Sequence, residues 1–283
     1  MHVRRTFSGG EGRTGNPRKA CLTKGFGQKN RTGDSRMDIN IVKNTADVFE
    51  KDYTIERTQV DAGGKVTFGT LARFMQDMTN AHMNAFGISV ESLLEQNLIW
   101  VIVCTQINIS RLPEAGDTVE QYSWAGAEKF GMHSRRFAFF SKDGEELLNA
   151  ASLFLLVDKD SRALSEPTKE TLSLPIVVIE GEPKLPKMMQ KFPTLLFGKT
   201  HVVPESEIDY NGHVNNAFYL DWADSIFDEE FVKTRATKGF WLQYDKEVLL
   251  DQKVEMKYAC LENSVFMKGC VSGADYFKVR FDF

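Results

Sequence analysis

Between Leu71 and Phe86 the apolar side chains return every three to four residues. Leu71, Phe74, Met75, Met78, Ala85 and Phe86, with His82 among them, share one face at helical spacing. Thr67 or Thr70 stands where that helix needs a cap, and Gly87 stands where it must stop. Residues 49–60, just before it, read as extended. After residue 97 the period shortens, and the pattern predicts four strands at 98–110, 117–128, 131–142 and 147–158. Two of the turns carry their own chemistry, Pro-Glu-Ala-Gly-Asp at 113–117 and Lys-Asp-Gly at 142–144. One helix followed by several antiparallel strands is an α+β pattern. Pro167, Pro175, Pro183 and Pro186, ahead of Pro193, then mark residues 165–195 as a connector.

Beyond the connector the pattern begins again. A shift of 148 residues lays DAGGKVTFGTLARFM (61–75) over DYNGHVNNAFYLDWA (209–223) without a gap. Asp61 meets Asp209, Gly64 meets Gly212, Val66 meets Val214 and Phe74 meets Trp222. Upstream, Phe49 and Lys51 meet Phe197 and Lys199. A helix followed by strands comes after both segments. The expectation is a duplicated unit, each copy a long central helix wrapped by an antiparallel sheet, with the two sheets joined edge to edge. The boundaries are 46–165 for the first copy, 166–195 for the linker and 196–283 for the second.

The repeat also isolates the chemistry. Where the second copy has Asn211 and His213, the first has Gly63 and Lys65. One copy therefore reads as the active half and the other as its support. In extended chain Asp209, Asn211 and His213 lie on one face, because side chains alternate. Imidazole titrates near ~6.5 and exchanges a proton at neutral pH. If a helix starts near Val214 or Asn215, the unpaired N–H groups from Gly212 to Asn216, those of Gly212 and Val214 above all, form a place for a carbonyl oxygen gaining charge. Asp and Asn before a helix are also ordinary turn and capping residues. The triplet alone does not separate these readings.

Composition narrows the partners. A formal charge of −4 on 283 residues, 26% of them charged, argues against general nucleic-acid binding. Residues 1–36 hold nine Lys/Arg, two acids and seven glycines, the signature of a chain too polar to order itself. The whole segment 1–45 is accordingly expected to be a disordered basic tail. The longest apolar run, residues 98–104, is far short of the ~20 residues a bilayer needs. None of Cys21, Cys104, Cys260 and Cys270 forms a C-x-x-C pair or a metal-spaced cluster, which suggests a reducing compartment.

The string D-x-N-x-H-V-N-N before an aromatic-rich helix resembles the signature of the acyl-acyl-carrier-protein thioesterases, which have a double hot-dog fold. Residues 97–126, 131–137 and 148–167 resemble that family's first half in order and spacing, so the likeness runs over roughly 45–283. The resemblance implies catalytic roles for Asp209, Asn211 and His213, and for Glu247 in the pattern Y-x-x-E. Asp209 is then either the nucleophile or the activator of a water, and Glu247 reaches in from a strand to orient His213 or the water. The residue after that Glu is Cys in the plant enzymes and Val248 here, which excludes a thiol mechanism at that position. The implied reaction is hydrolysis of a medium- or long-chain acyl thioester of acyl carrier protein. No cofactor or metal is implied, because a thioester is already an activated acyl group. The acyl chain is expected in the first half, against Leu71, Met75, Met78 and Trp100, although a helical apolar stripe also serves as plain core. An acidic carrier calls for a basic surface, for which Lys129, Arg135, Arg136, Lys199, Lys233, Arg235 and Lys238 are the candidates. The resemblance suggests a bacterial-like, cytoplasmic member rather than a plastid one, acting as a monomeric pseudo-dimer or a homodimer. The alternatives are an acyl-CoA thioesterase with the same residues, a hot-dog hydratase, and a non-catalytic acyl-thioester-binding module.

Overall fold

The computed structural model describes residues 37–129, 131–165, 174–188, 190–227 and 236–283. The basic segment 1–36 lies outside them. Residues 37–45, expected to be part of the disordered tail, are instead ordered. Asp38 caps a short helix, α1 (Ile39–Asn44), by accepting the N–H of Asn40. Met37 and Val42 are buried against the sheet, and the Met37 N–H donates to Glu146 Oε2 at 2.6 Å. Two buried apolar side chains suffice to hold this turn, and the polar composition upstream masks them.

The chain continues through β1 (Phe49–Thr54), α2 (Phe68–Ala85), α3 (Val90–Leu94), β2 (Leu98–Ile109), β3 (Thr118–Lys129), β4 (Met132–Ser141) and β5 (Glu146–Asp158). The second half follows as β6 (Leu196–Val202), α4 (Phe218–Asp224), β7 (Gly239–Tyr244), β8 (Lys253–Leu261), β9 (Ser264–Val271) and β10 (Ala274–Asp282). Thr67 caps α2 by accepting the Thr70 N–H at 3.2 Å. The helix ends in a Schellman turn, with Ile88 N–H on Met83 O and Gly87 N–H on Asn84 O, and Gly87 takes the positive φ that this turn requires.

The ten strands of the described residues form one antiparallel sheet in the order β1-β3-β4-β5-β2-β7-β10-β9-β8-β6. The order reads the same from both ends once each strand is replaced by its counterpart in the other half. The β2–β7 ladder, from Cys104↔Gln243 to Asn108↔Gly239, is therefore the edge-to-edge joint. The helices meet on one face of it, where Arg73 of α2 pairs with Asp221 of α4. Those two residues are themselves 148 apart, so the pair sits at the pseudo-twofold axis. The halves differ in their helices: α2 has 18 residues and α4 has seven. The expected second long helix is thus short over the described residues. No described helix is long and apolar enough to cross a membrane.

The connector is more than a tether. Val177 donates its N–H to Ala125 O, and Val177 and Ile179 are buried with Tyr122, Trp124, Ala138 and Phe140 on the outer face of the first half. Glu182 accepts from Trp124 Nε1 at 3.2 Å and Arg136 Nη2 at 3.3 Å. This cover explains why β3 is buried on both faces rather than alternating. It also corrects the expectation that Arg135 and Arg136 face a partner, since both are buried. Strand alternation sends Arg136 outward beneath the connector. Arg135 goes inward, where it donates to His82 Nδ1 at 2.8 Å and Ser123 Oγ at 3.0 Å.

Burial and the adjacent Arg135 charge hold the His82 imidazole down at about 4. Its folded value lies below the ordinary one, so the unfolded chain binds the extra proton as pH falls from 6.5 to 4. Stability present above that window is lost across it, by about 3 kcal/mol from this group. Urea unfolding at pH 7 and pH 4 should show a smaller fall for His82→Gln than for the wild type. An equal fall in both would mean that His82 is not held neutral.

Candidate functional site

The segment before α4 is built on one tight turn. Ile208 and Val214 form a β-bridge, Asp209 N–H donates to His213 O at 2.9 Å, and Gly212 N–H donates to Asp209 O at 3.0 Å. Gly212 has φ +82°, and the Asp209 carboxylate accepts the Asn211 N–H at 2.8 Å. The first half repeats each part. Asp61 N–H donates to Lys65 O, Gly64 N–H to Asp61 O and Gly63 N–H to Asp61 Oδ1, with Gly64 at φ +77°. The shared Asp-Gly pair is therefore turn chemistry. What the second half adds is the side chains of Asn211 and His213.

His213 stands between two carboxylates. Its Nδ1 is 3.3 Å from Val214 O and 3.8 Å from Asp209 Oδ1, while Nε2 is 3.8 Å from Glu247 Oε1. A hydrogen on Nδ1, donated to Val214 O, leaves the Nε2 lone pair on the Glu247 side. Glu247 does not lie on a strand as expected. It lies in the loop after β7, anchored on both sides: Asp245 and Lys246 donate their N–H groups to Tyr276 O, and Val248 accepts the Val214 N–H on its carbonyl and donates its own N–H to the Tyr219 hydroxyl. Tyr244 in turn donates to Asn216 O at 3.1 Å. Burial pushes both phenols above their ordinary range, so they act as neutral hydrogen-bonding struts.

The backbone oxyanion expectation needs correction. The helix starts at Phe218, not at Val214. The Gly212 N–H is committed to Asp209 O, and the Val214 N–H to Val248 O at 2.8 Å. Neither is available to a ligand. Asn211 and Asn216 line the same cavity as His213, and their side-chain amides are donors of the kind a charged oxygen needs. Cysteine chemistry has no support here either. Val248 is buried, and burial pushes the Cys104 thiol up to about 12, which leaves it protonated and unreactive.

A cavity of about 1120 Å³ runs from this site into the first half. Asp209, Asn211, His213 and Glu247 line one part; Ala72, Met75, Thr79 and Met83 of α2, Leu93 of α3 and Trp100 of β2 line the other. Met75 and Trp100 thus line it. Leu71 and Met78 do not, because both point into the core between the halves and are fully buried there. The apolar side of α2 is wide enough to serve both, with the stripe through residues 72, 75, 79 and 83 rotated towards the cavity. Met75→Ala should shift a bound or released acyl chain towards greater length. Met78→Ala should leave chain length unchanged and cost about 2–5 kcal/mol of stability. Product analysis beside thermal unfolding separates the two.

Sequence reasoning missed three contributors. Arg162, in the turn after β5, places Nη2 3.0 Å from Glu247 Oε2. Gln76 of α2 accepts from Asn215 Nδ2 at 3.3 Å, tying the first half to the site loop. The Tyr219 hydroxyl receives the Val248 N–H at 3.2 Å. No local pattern marks any of the three. Of the basic residues expected to greet a carrier, Lys129 and Lys238 are exposed, Lys199 bonds Ser225, and Lys233 and Arg235 lie outside the described residues.

Two α+β units sharing one sheet, with the Asn211 and His213 side chains in only one of them, define the class as a double hot-dog. The descriptions "Acyl-ACP thioesterase N-terminal domain" and "Acyl-ACP thioesterase C-terminal domain" match residues 46–174 and 197–279, and the chain belongs to the acyl-ACP thioesterase family. Among curated relatives, the chloroplastic palmitoyl-acyl carrier protein thioesterase of Cuphea hookeriana is 26% identical over 71% of this chain and 52% of its own length. The chloroplastic dodecanoyl-[acyl-carrier-protein] hydrolase of Cinnamomum camphora is 26% identical over 74% of this chain and 58% of its own. The chain thus spans about half the length of the curated relatives it matches. Among solved structures, an acyl-ACP thioesterase of Bacteroides thetaiotaomicron superposes with a TM-score of 0.70 at 20% identity, covering 84% of this chain and 98% of that one. The 12:0-ACP thioesterase of Umbellularia californica gives 0.71 at 24% identity, covering 84% and 97%. At these identities the superpositions speak to the fold.

Proposed function

We propose that this protein hydrolyses acyl thioesters of acyl carrier protein, releasing a free fatty acid and the carrier thiol. The observation that carries this reading is the continuity of one cavity between an apolar wall on α2 and β2 and the Asp209, Asn211, His213 and Glu247 group. A long acyl chain needs the first and its thioester carbonyl needs the second.

The geometry supports a water-based mechanism. His213 Nε2 takes a proton from a water poised at the thioester carbonyl, and the water oxygen bonds to the carbonyl carbon. Glu247, 3.8 Å from Nε2, and Asp209, 3.8 Å from Nδ1, stabilise the imidazolium from opposite sides. The Asn211 amide donates to the carbonyl oxygen as it gains charge. The tetrahedral intermediate expels the carrier thiolate, which takes the proton back from His213. Asp209 builds the turn, its Oδ1 accepting the Asn211 N–H, and lends its charge to the imidazolium. The family supports acyl carrier protein as the carrier, and attraction of an acidic carrier by surface lysines such as Lys238, which is exposed, is the kind of contact that added salt weakens.

The test is hydrolysis of matched acyl-carrier-protein and acyl-CoA thioesters at substrate levels below KM. The expected result is a higher kcat/KM on the carrier-bound substrate. Preference for the CoA thioester would reassign the substrate, and retention of both thioesters would leave only a binding role.

A further inference from the structure

The polar site belongs to the second half, yet one of its fixed points comes from the first. The turn after β5 is organised by Asp158, whose Oδ1 accepts the N–H groups of Asp160 at 3.1 Å and Ser161 at 2.8 Å. Its Oδ2 accepts Asn97 Nδ2 at 2.9 Å, and Lys159 N–H donates to Asn97 O at 2.7 Å. Within this frame Asn97 and Arg162 both take left-handed backbone, with φ of 57° and 58°. Arginine seldom adopts that conformation, so surrounding bonds must impose it. The result is a guanidinium held at two points. Nη1 donates to Lys159 O at 2.6 Å and Nη2 to Glu247 Oε2 at 3.0 Å.

Stability does not account for the arrangement. Both partners of the Arg162–Glu247 pair are a third or more exposed, and such pairs add little to folding. What the pair does fix is direction. With Oε2 taken by Arg162, Oε1 is the oxygen left facing His213 Nε2 at 3.8 Å. We propose that Arg162 is a positioning residue, by which the half lacking the polar set aligns Glu247 with the imidazole of the other half. This deepens the reading of His213 as base and rests on it.

The test separates kcat from KM and includes a conservative rescue. Arg162→Met should lower kcat by about 10–100-fold with KM little changed, the mark of lost alignment rather than lost binding. Arg162→Lys should recover part of that loss. In a Glu247→Gln background, Arg162→Met should add nothing, because the two residues act as one unit. Equal kcat losses with and without Glu247, or a loss in KM rather than kcat, would overturn the proposal. A wild-type protein that hydrolyses no thioester would sink the proposed function itself, an outcome distinct from either.

Discussion

His213→Ala is expected to lower kcat/KM on acyl carrier thioester by about 10²–10⁴-fold, with the fold intact. The imidazole stands in the cavity beside a carboxylate, Nε2 facing Glu247 Oε1 at 3.8 Å. Its removal takes away both the proton acceptor for water and the proton donor for the leaving thiolate. The side chain is not part of the hydrophobic core, so little packing is lost. The duplication supplies an internal control. Lys65 occupies the same place in the same turn of the first half, 148 residues earlier, and Lys65→Ala should leave kcat/KM unaltered. Free fatty acid measured by mass spectrometry decides the matter. Equal activity of His213→Ala and wild type would remove the base from the mechanism.

Gly239→Ala should destabilise the protein by about 3 kcal/mol and lower Tm by roughly 10 °C. Gly239 pairs with Asn108 at the end of the β2–β7 ladder. A Cβ placed there would stand 2.3 Å from the carbonyl oxygen of Ile107. The obstacle is backbone, so it yields only if β2 and β7 separate, and they are the joint between the halves. The cavity spans that joint, with Phe240 and Leu242 of β7 among its walls beside residues of β2. Activity at a temperature well below Tm should therefore fall as well. Thermal unfolding and a urea series would detect the change, and a Tm within 2 °C of wild type would contradict this account of the joint.

Most of the first half was legible in the sequence because its signals are local. The stripe of α2, its Thr67 cap and its Gly87 stop are set within one helix. The four strands fall within two residues of their expected ends, because alternation and turn residues bound them. Covered faces were not legible. The pattern around Arg135 and Arg136 says that one points in and one out, but not that residues 177–182 lie over the outer one. Likewise, the stripe containing Leu71, Met75 and Met78 reports apolarity. It does not report whether core or cavity lies beyond each side chain. The Gly212 and Val214 amides were misassigned for a related reason. Their hydrogen-bond partners, Asp209 O and Val248 O, depend on how the turn closes and on a loop 34 residues away.

The sequence by itself determined the duplication, the turn that opens each copy and the confinement of Asn211 and His213 to the second. These follow from residue type and spacing, which chain neighbours read directly. Only the tertiary structure decided that Glu247 meets His213, that Arg162 crosses from the other half to hold Glu247, and that Met75 rather than Met78 faces the cavity. Each of those depends on strands from distant parts of the chain closing one continuous sheet, and the direction of a side chain across such a closure is not encoded in its neighbours.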